Sequence, residues 1–399
     1  GRFEMAGIGT ADMVAGDHGI NYSLVCNRLS TFLNTSDENL RYYGGFRFAE
    51  NSKDRHDGLW ETFGNYRFVL PRFELYRQFD QTFLVCNVVL GDKTCDATEI
   101  FSALEGVAFS TKVIEPGQLH IIARYDNPDQ KDWQKIAYDV LKSIQDGELQ
   151  KLVLARRTTF EFPESLQAMY LIEKLKLATP NCYHFLFQLE NNRDGSIAFI
   201  GASPERLYYR SGGNINSEAV AGTRPRGPSK ETDRACEGEL IISDKEQREH
   251  LYVVQGIQEA FEQMKCRVRN NGVSVMKLAN LQHLVTRFEG ELADGASDAD
   301  LLLRLHPTPA VGGYPTDRAL TKISGMTSLE PFDRGWYAGP VGWIGRDEAE
   351  FAVGIRSGLV EHNRLHLYAG AGIVKGSTPE SEWREIEDKV NNFVKVLTE

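Results

Sequence analysis

The segment Leu149–Phe160 constrains this chain most, because its head, Lys151-Leu-Val-Leu-Ala155, is apolar on both sides of a strand. Side chains alternate along a strand, so Leu152 and Leu154 share one face while Lys151, Val153 and Ala155 share the other. A strand with two apolar faces has to be covered on both, which calls for a layered sheet and not a solvent-washed hairpin. The lysine at its head has two readings. At a strand end it reaches solvent; buried and desolvated, it would have a lowered pKa and could serve as a base.

Other segments supply neighbours for such a strand. Short strands broken by turns fill the first ~125 residues, for example Tyr66–Leu70 and Thr82–Leu90, and Asn127-Pro128 punctuates their end. Further strands are expected at Ser196–Ile200, Arg206–Arg210, Glu350–Ile355 and Arg364–Ala369. Helical spacing appears in Ile136, Val140, Leu141 and Ile144, with Gly147 as a stop. Two longer helices follow. One starts near Ser243 or Asp244 and carries Val253, Val254, Ile257 and Phe261 on one face; the other closes the chain. Ser377 or Thr378 caps that last helix, Pro379 opens it, and Trp383, Ile386, Val390, Phe393, Val394 and Leu397 form its apolar stripe. The pattern reads as α+β with large antiparallel sheets.

With 399 residues, 41% of them apolar, the chain can bury a sizeable core without disulfides or a structural metal. The net charge of -11 and the lack of a basic stretch argue against nucleic acid as a partner, since phosphate neutralisation needs clustered Lys and Arg. The six cysteines are scattered without a C-x-x-C pair, which suits a reducing compartment. No apolar run reaches membrane-spanning length and no signal peptide opens the chain, so no membrane partner is expected. The expected location is cytoplasmic. Because the first residue is Gly1, removal of a transit peptide would instead place the protein in a plastid stroma.

Acidic pairs stand three residues apart on both long helices, Glu246 with Glu249 and Glu382 with Glu385, and Lys389 lies four beyond Glu385. Acidic residues in a first turn usually complement the helix dipole. Two such pairs on separate helices also make an all-oxygen site for Mg²⁺. Glycines cluster in Ala221–Gly227 and Ala369–Ile373. Such clusters commonly mark turns, and they also let backbone N–H groups approach an anion. Neither has dinucleotide or P-loop spacing. Glu205 after Pro204 reads by itself as a turn carboxylate.

In order along residues 130–399 stand Lys151–Arg156 (KLVLAR), Gly201–Arg206 (GASPER), Ala221–Gly227 (AGTRPRG), Leu281–Leu284 (LQHL), His306–Val311 (HPTPAV), Glu330–Arg334 (EPFDR), Tyr368–Val374 (YAGAGIV) and Glu382–Glu385 (EWRE). Together they resemble the chorismate-binding family of isochorismate, salicylate, anthranilate and aminodeoxychorismate synthases. Residues 1–130 resemble the variable N-terminal part of isochorismate synthases, best at Tyr43–Phe48.

The resemblance implies a single chorismate-binding domain over 1–399, with a variable part (1–130) and a motif-bearing catalytic part (131–399). It implies two large antiparallel β-sheets packed together, helices on the outside, and a site in a cleft. It implies Mg²⁺ held directly by Glu249 and Glu385 and through water by Glu246 and Glu382, binding the ring carboxylate of chorismate with Lys389 nearby. It places Arg356, Tyr368 and the backbone of Gly370 and Gly372 on the enolpyruvyl carboxylate. Gly222, Thr223 and His283 would line the ring, and Pro309, Ala310 and Val311 the apolar wall.

Within the family, Lys151 stands where anthranilate synthases typically carry Gln, and Ala221 where aminodeoxychorismate synthases carry a nucleophilic Lys. That combination suits water as nucleophile and no glutamine amidotransferase subunit. His306–Val311 and Glu382–Glu385 resemble the isochorismate form. The expected reaction is isomerisation of chorismate to isochorismate, with Lys151 as base for water attack at C2 and Glu205 as acid for the departing C4 hydroxyl. Salicylate synthase, which goes on to eliminate pyruvate, is the alternative; a catalytically silent chorismate-binding regulator is a further one. The protein is expected to be a monomer with chorismate and isochorismate as ligands. In the family this product serves menaquinone, phylloquinone, siderophore or salicylate biosynthesis.

Overall fold

In a computed structural model of the chain, the segment expected to be doubly covered is the strand Lys151–Glu161, and its residues from Lys151 to Arg156 are all buried. The structure describes residues 3–34, 39–50, 58–78, 80–89, 97–108, 119–191, 195–325 and 328–398. Lys151–Glu161 pairs antiparallel with Arg364–Val374 on one side and with Ala123–Asn127 and Gly313–Tyr314 on the other. Its sheet has seven strands among the described residues, continuing through Ser357–Glu361 and Gly195–Ser203 to Tyr183–Asn191.

The second sheet has ten described strands, all antiparallel to their neighbours. It interleaves Glu4–Gly16, Tyr66–Gln78 and Arg41–Phe46 from the N-terminal part with Pro340–Gly345, Glu348–Val353 and Arg206–Ser211 from the rest. Asn214–Pro225, Leu281–Glu291 and Arg267–Lys277 complete its far side. One apolar core joins the sheets: Phe199 of the first meets Trp60 and Trp336 with ring centroids 5.2 and 6.4 Å apart. The α+β architecture with large antiparallel sheets is therefore present.

Two crossings between the sheets matter for the site. Pro204 and Glu205 connect Gly195–Ser203 in one sheet to Arg206–Ser211 in the other. Gly354, Ile355 and Arg356 connect Glu348–Val353 back to Ser357–Glu361. Arg356 makes its crossing at φ 49°, a left-handed conformation that non-glycine residues rarely hold and that clusters at functional sites.

The long helices begin and pack as their caps and stripes require. Ser243 accepts from Glu246 N–H to start Asp244–Gln263, and Thr378 accepts from Ser381 N–H before Pro379–Thr398. The first lies on Asn214–Pro225 and the second on Arg364–Val374, and each also reaches a common strand, Arg364–Val374.

The N-terminal part departs from the expectation of strands and turns alone. It holds the helices Tyr22–Leu33 and Ala97–Glu105. Asn21 caps the first, accepting from Leu24 N–H at 2.9 Å, and Val25, Leu29 and Leu33 bury one face at i, i+4 spacing. The strand expected at Tyr66–Leu70 runs on to Gln78 through Pro71, which has no N–H to donate. A register shift between Thr10 and Asp12 lies opposite Pro71 and absorbs that loss. The strand expected at Thr82–Leu90 is Gln81–Cys86, and Leu90 lies outside the described residues.

Candidate active site

The two acidic pairs converge. Glu246 and Glu382 are each 1% exposed, and Glu249 is buried beside them. Lys245 stands among these groups, with its Nζ 3.0 Å from Glu382 Oε1, 3.4 Å from Glu246 Oε1 and 3.7 Å from Glu249 Oε2. Burial alone would push this ammonium down, but Glu249, Glu385, Glu382 and Glu246 together push it up. Burial raises the Glu246 carboxyl, and raises that of Glu382 to about 7 against the pull of Lys245. Apart from the Lys245 ammonium, neither oxygen of Glu382 has a polar partner among the described residues. Burial also acts upward on Glu385, but Lys389 and Lys245 overcome it and hold its carboxyl down at about 2.

Lys151 is fully buried, so the solvent-facing reading of this residue does not hold. Its Nζ lies 3.2 Å from Glu249 Oε1. Gly372 makes room for the pair: a Cβ there would sit 2.2 Å from Glu249 Oε1 and 2.9 Å from Lys151 Cε. On the same strand, the Gly370 carbonyl accepts from Lys389 Nζ at 2.8 Å, and that ammonium also reaches Glu385 Oε1 at 2.6 Å.

Across the cleft, the register of Asn214–Pro225 on Leu281–Glu291 slips between Ala221 and Thr223, with Gly222 at φ 76°. This bulge turns the Thr223 N–H onto Glu246 Oε2 at 3.0 Å and its hydroxyl to His283 Nδ1 at 3.1 Å. Arg356 donates to His283 Nε2 at 3.2 Å, so the imidazole proton sits on Nδ1, where the Gly222 carbonyl is 3.3 Å away. Burial and the Arg356 charge hold His283 down at about 3, hence neutral.

Glu205 is 2% exposed. Burial pushes its carboxyl up to about 8, against the pull of Lys151 and with Glu218 adding to the rise. It faces a space of about 780 Å³, open mouth included. Gly222, Thr223, His283, Ala310 and Val311 line that space from one side. Arg356, Tyr368, Gly370, Gly372, Glu249, Glu385 and Lys389 line it from the other. The expected site residues are thus brought together, except that Lys151, Glu246 and Glu382 lie behind the lining, reached through Glu249, Thr223 and Lys245, and that Pro309 packs beside Gly256 and leaves the apolar wall to Ala310 and Val311.

A family model described as chorismate binding enzyme matches residues 2–398. The chain belongs to the chorismate binding enzyme family. Two similar members are isochorismate synthase 2, chloroplastic, of Arabidopsis thaliana and isochorismate synthase MenF of Bacillus subtilis (strain 168). Each is 35% identical, over 378 and 363 residues, covering 92% and 89% of this chain. The chain spans 66% and 74% of their respective lengths. The solved structure of MenF, the menaquinone-specific isochorismate synthase from Escherichia coli, superposes with a TM-score of 0.83 at 30% identity, covering 99% of this chain and 86% of that one.

Three residues of this chorismate binding enzyme went unnoticed in its sequence. Lys245 is one, although its i, i+4 spacing to Glu249 was there to read. Tyr337 lines the space and stacks on Tyr368, centroids 5.3 Å apart at 20°. The Thr308 hydroxyl sits beside Glu205 and acts to lower its pKa. Tyr337 arrives from a loop without a spacing signal, and Thr308, although inside the His306–Val311 motif, was given no role there.

A divalent cation fits the acidic cluster in donor chemistry: four carboxylates, hard oxygen donors, two of them with raised pKa and one with no polar partner but the Lys245 ammonium. Among the described residues no three acidic, imidazole or thiol groups are already gathered at metal-binding geometry. The ammonium of Lys245 stands between them.

Proposed function

We propose that this chain is a magnesium-dependent isochorismate synthase that interconverts chorismate and isochorismate. The observation that carries the reading is a buried acid facing one wall of the cleft while a buried lysine backs the opposite wall. Glu205 is held protonated by burial, and Lys151 is sealed behind the facing wall at Glu249. Water adds to C2 of the ring as Lys151 takes its proton; the ring double bonds shift, the C4–O bond breaks, and Glu205 gives its proton to the leaving hydroxyl. The reverse reaction exchanges the two roles. Arg356 and Tyr368 take the enolpyruvyl carboxylate with the backbone of Gly370 and Gly372, while His283, Thr223 and Gly222 flank the ring and Ala310 and Val311 close the apolar side.

Glu249 and Glu385 would hold Mg²⁺ directly, with Glu246 and Glu382 reaching it through water. The ion would supply charge neutralisation for the ring carboxylate and for the glutamates, Lys151's partner included. Lys389, anchored on Glu385 and Gly370, supplies a second positive charge on that side.

Ala221 lines the cleft where an amine-adding relative would need a lysine, which supports water as nucleophile and the lack of a glutamine amidotransferase subunit. Interleaving of N-terminal and later strands in one sheet supports reading 1–399 as a single domain. Among the described residues no helix is long and apolar enough to cross a membrane. A monomer working in the cytoplasm or in a plastid stroma completes the reading.

The test is to incubate the protein with chorismate and Mg²⁺ and identify the products. Isochorismate in equilibrium with chorismate is expected. Stoichiometric pyruvate without an added lyase would move the assignment to salicylate synthase, and binding without any product would make the chain a regulator.

A further inference from the structure

Among the described residues of the N-terminal part, Trp60 hydrogen-bonds a residue that lines the cleft. Trp60 is 1% exposed, and its indole Nε1–H donates to the Tyr368 hydroxyl oxygen at 3.1 Å in a buried contact. The ring is held from several directions. Phe63 and Phe199 meet it edge-on, with centroids at 5.5 and 5.2 Å. Gly335, at φ 54°, lies so close beneath it that a Cβ would fall 2.0 Å from the indole. The turn carrying Trp60 is fastened as well, since the Gly64 carbonyl accepts from Trp336 Nε1 at 3.1 Å.

Tyr368 is itself buried, with the rings of Phe332 and Tyr337 against it at 5.9 and 5.3 Å. It is a pocket-lining residue with Tyr337 stacked on it, and its strand neighbour across the register is Ser357, next to Arg356. Ring contacts alone are weakly directional and leave the χ1 and χ2 torsions some range. A hydrogen bond to the phenol oxygen narrows the side-chain torsions and fixes where the hydroxyl stands in the wall that Tyr368 shares with Arg356. A buried indole N–H without an acceptor would be unfavourable, so the pair fixes both partners.

We propose that Trp60 is a positioning residue for substrate recognition: through Tyr368 it holds the carboxylate-binding side of the cleft in place, which gives residues 1–130 a part in ligand affinity. This rests on the reading that Arg356 and Tyr368 receive the enolpyruvyl carboxylate.

The experiment is a double-mutant cycle with Trp60→Phe, Tyr368→Phe and the double variant, read as KM and kcat for chorismate alongside thermal melting. Loss of one buried hydrogen bond corresponds to roughly five-fold in affinity. Trp60→Phe should therefore raise KM by about three- to ten-fold with kcat changed less than about two-fold. The double variant should be no worse in KM than Tyr368→Phe alone. An unchanged KM in Trp60→Phe, or KM effects that multiply in the double variant, overturns the proposal. A fall in melting temperature and in kcat at constant KM also overturns it, because that is what a purely structural tryptophan predicts. If Trp60→Phe does not fold, replacing Trp60 with benzothienylalanine, which keeps the bicyclic ring and removes only the N–H, gives the same readout. Turnover by the parent protein is scored separately, so failure of the enzymatic reading itself is distinguishable.

Discussion

Lys151 Nζ and Glu249 Oε1 lie 3.2 Å apart, one from a strand head and one from a helix, in a niche that the missing side chain of Gly372 leaves open. Removing this lysine also strands the buried Glu249 carboxylate, so the rate is read on protein whose fold is checked by melting. Lys151→Ala should lower turnover by about 10²–10⁴-fold, the usual loss for a general base, while chorismate binding weakens little. A rate assay and a calorimetric titration on the same sample check this. A rate within a few-fold of the parent sinks the proposed mechanism.

The acidic cluster leads to a prediction about metal. Chelation by EDTA should abolish turnover, and Glu249→Gln or Glu385→Gln should nearly do so with the fold retained. Undiminished turnover in folded Glu385→Gln would rule out this site.

Lys245 should oppose the ion it shares carboxylates with, since its ammonium lies within 3.0–3.7 Å of three of them. Lys245→Met should tighten divalent binding by at least about ten-fold, read by a Mn²⁺ titration followed by electron paramagnetic resonance. The same variant should melt lower than the parent without metal and recover with Mg²⁺, because unpaired buried carboxylates are strongly destabilising. Equal Mn²⁺ affinity in the two proteins would contradict this.

Much of the fold and site was legible, for identifiable reasons. Leu152, Val153, Leu154 and Ala155 leave their strand no wet face, so its burial was legible, but a lysine at the strand head could still have reached solvent; both long helices announced their caps and stripes. The convergence of Glu246, Glu249, Glu382 and Glu385 came from ordered motifs, since helical periodicity says nothing about which helices meet. Periodicity was equally silent on the sheet crossings at Pro204-Glu205 and Gly354–Arg356, because a strand's alternation does not say which sheet it joins. Trp60 had no local signal at all: its partner Tyr368 is 308 positions away.

The Glu330–Arg334 motif proves to be structural. Arg334 donates from Nε and Nη2 to the Glu330 carboxylate at 2.7 and 2.5 Å, and to the carbonyls of Val311 and Val153 at 2.9 Å each. Glu330 Oε1 also accepts from Ala155 N–H at 2.8 Å, so the pair ties the central strand to the loop that carries Ala310 and Val311. Arg334→Met strands a buried carboxylate and should lower stability by about 3–5 kcal/mol in urea denaturation. Adding Glu330→Gln should recover part of that loss, and simple additivity of the two changes would refute the pairing argument.

Glu205 links pH, activity and stability in one residue. Its carboxyl is raised from an ordinary value of 4.5 to about 8, chiefly by burial. A general acid works only while it holds its proton, so turnover of chorismate should be steady below about pH 8 and fall about ten-fold per unit above it, other groups being constant. The same shift acts on folding with a definite sign. The folded state binds this proton more tightly than the unfolded chain, so the residue's stabilising contribution is fully present below pH 4.5 and is lost as pH rises through about 8. Glu205→Gln keeps the shape and removes the titration. It should be nearly inactive at every pH, yet relative to the parent its melting temperature should rise between pH 5 and pH 9. Melting curves of the two proteins at both pH values, beside a pH–rate profile of the parent, decide the matter. A constant gap between the two melting temperatures, or a rate that keeps rising past pH 9, would show that Glu205 does not carry the proton assigned to it.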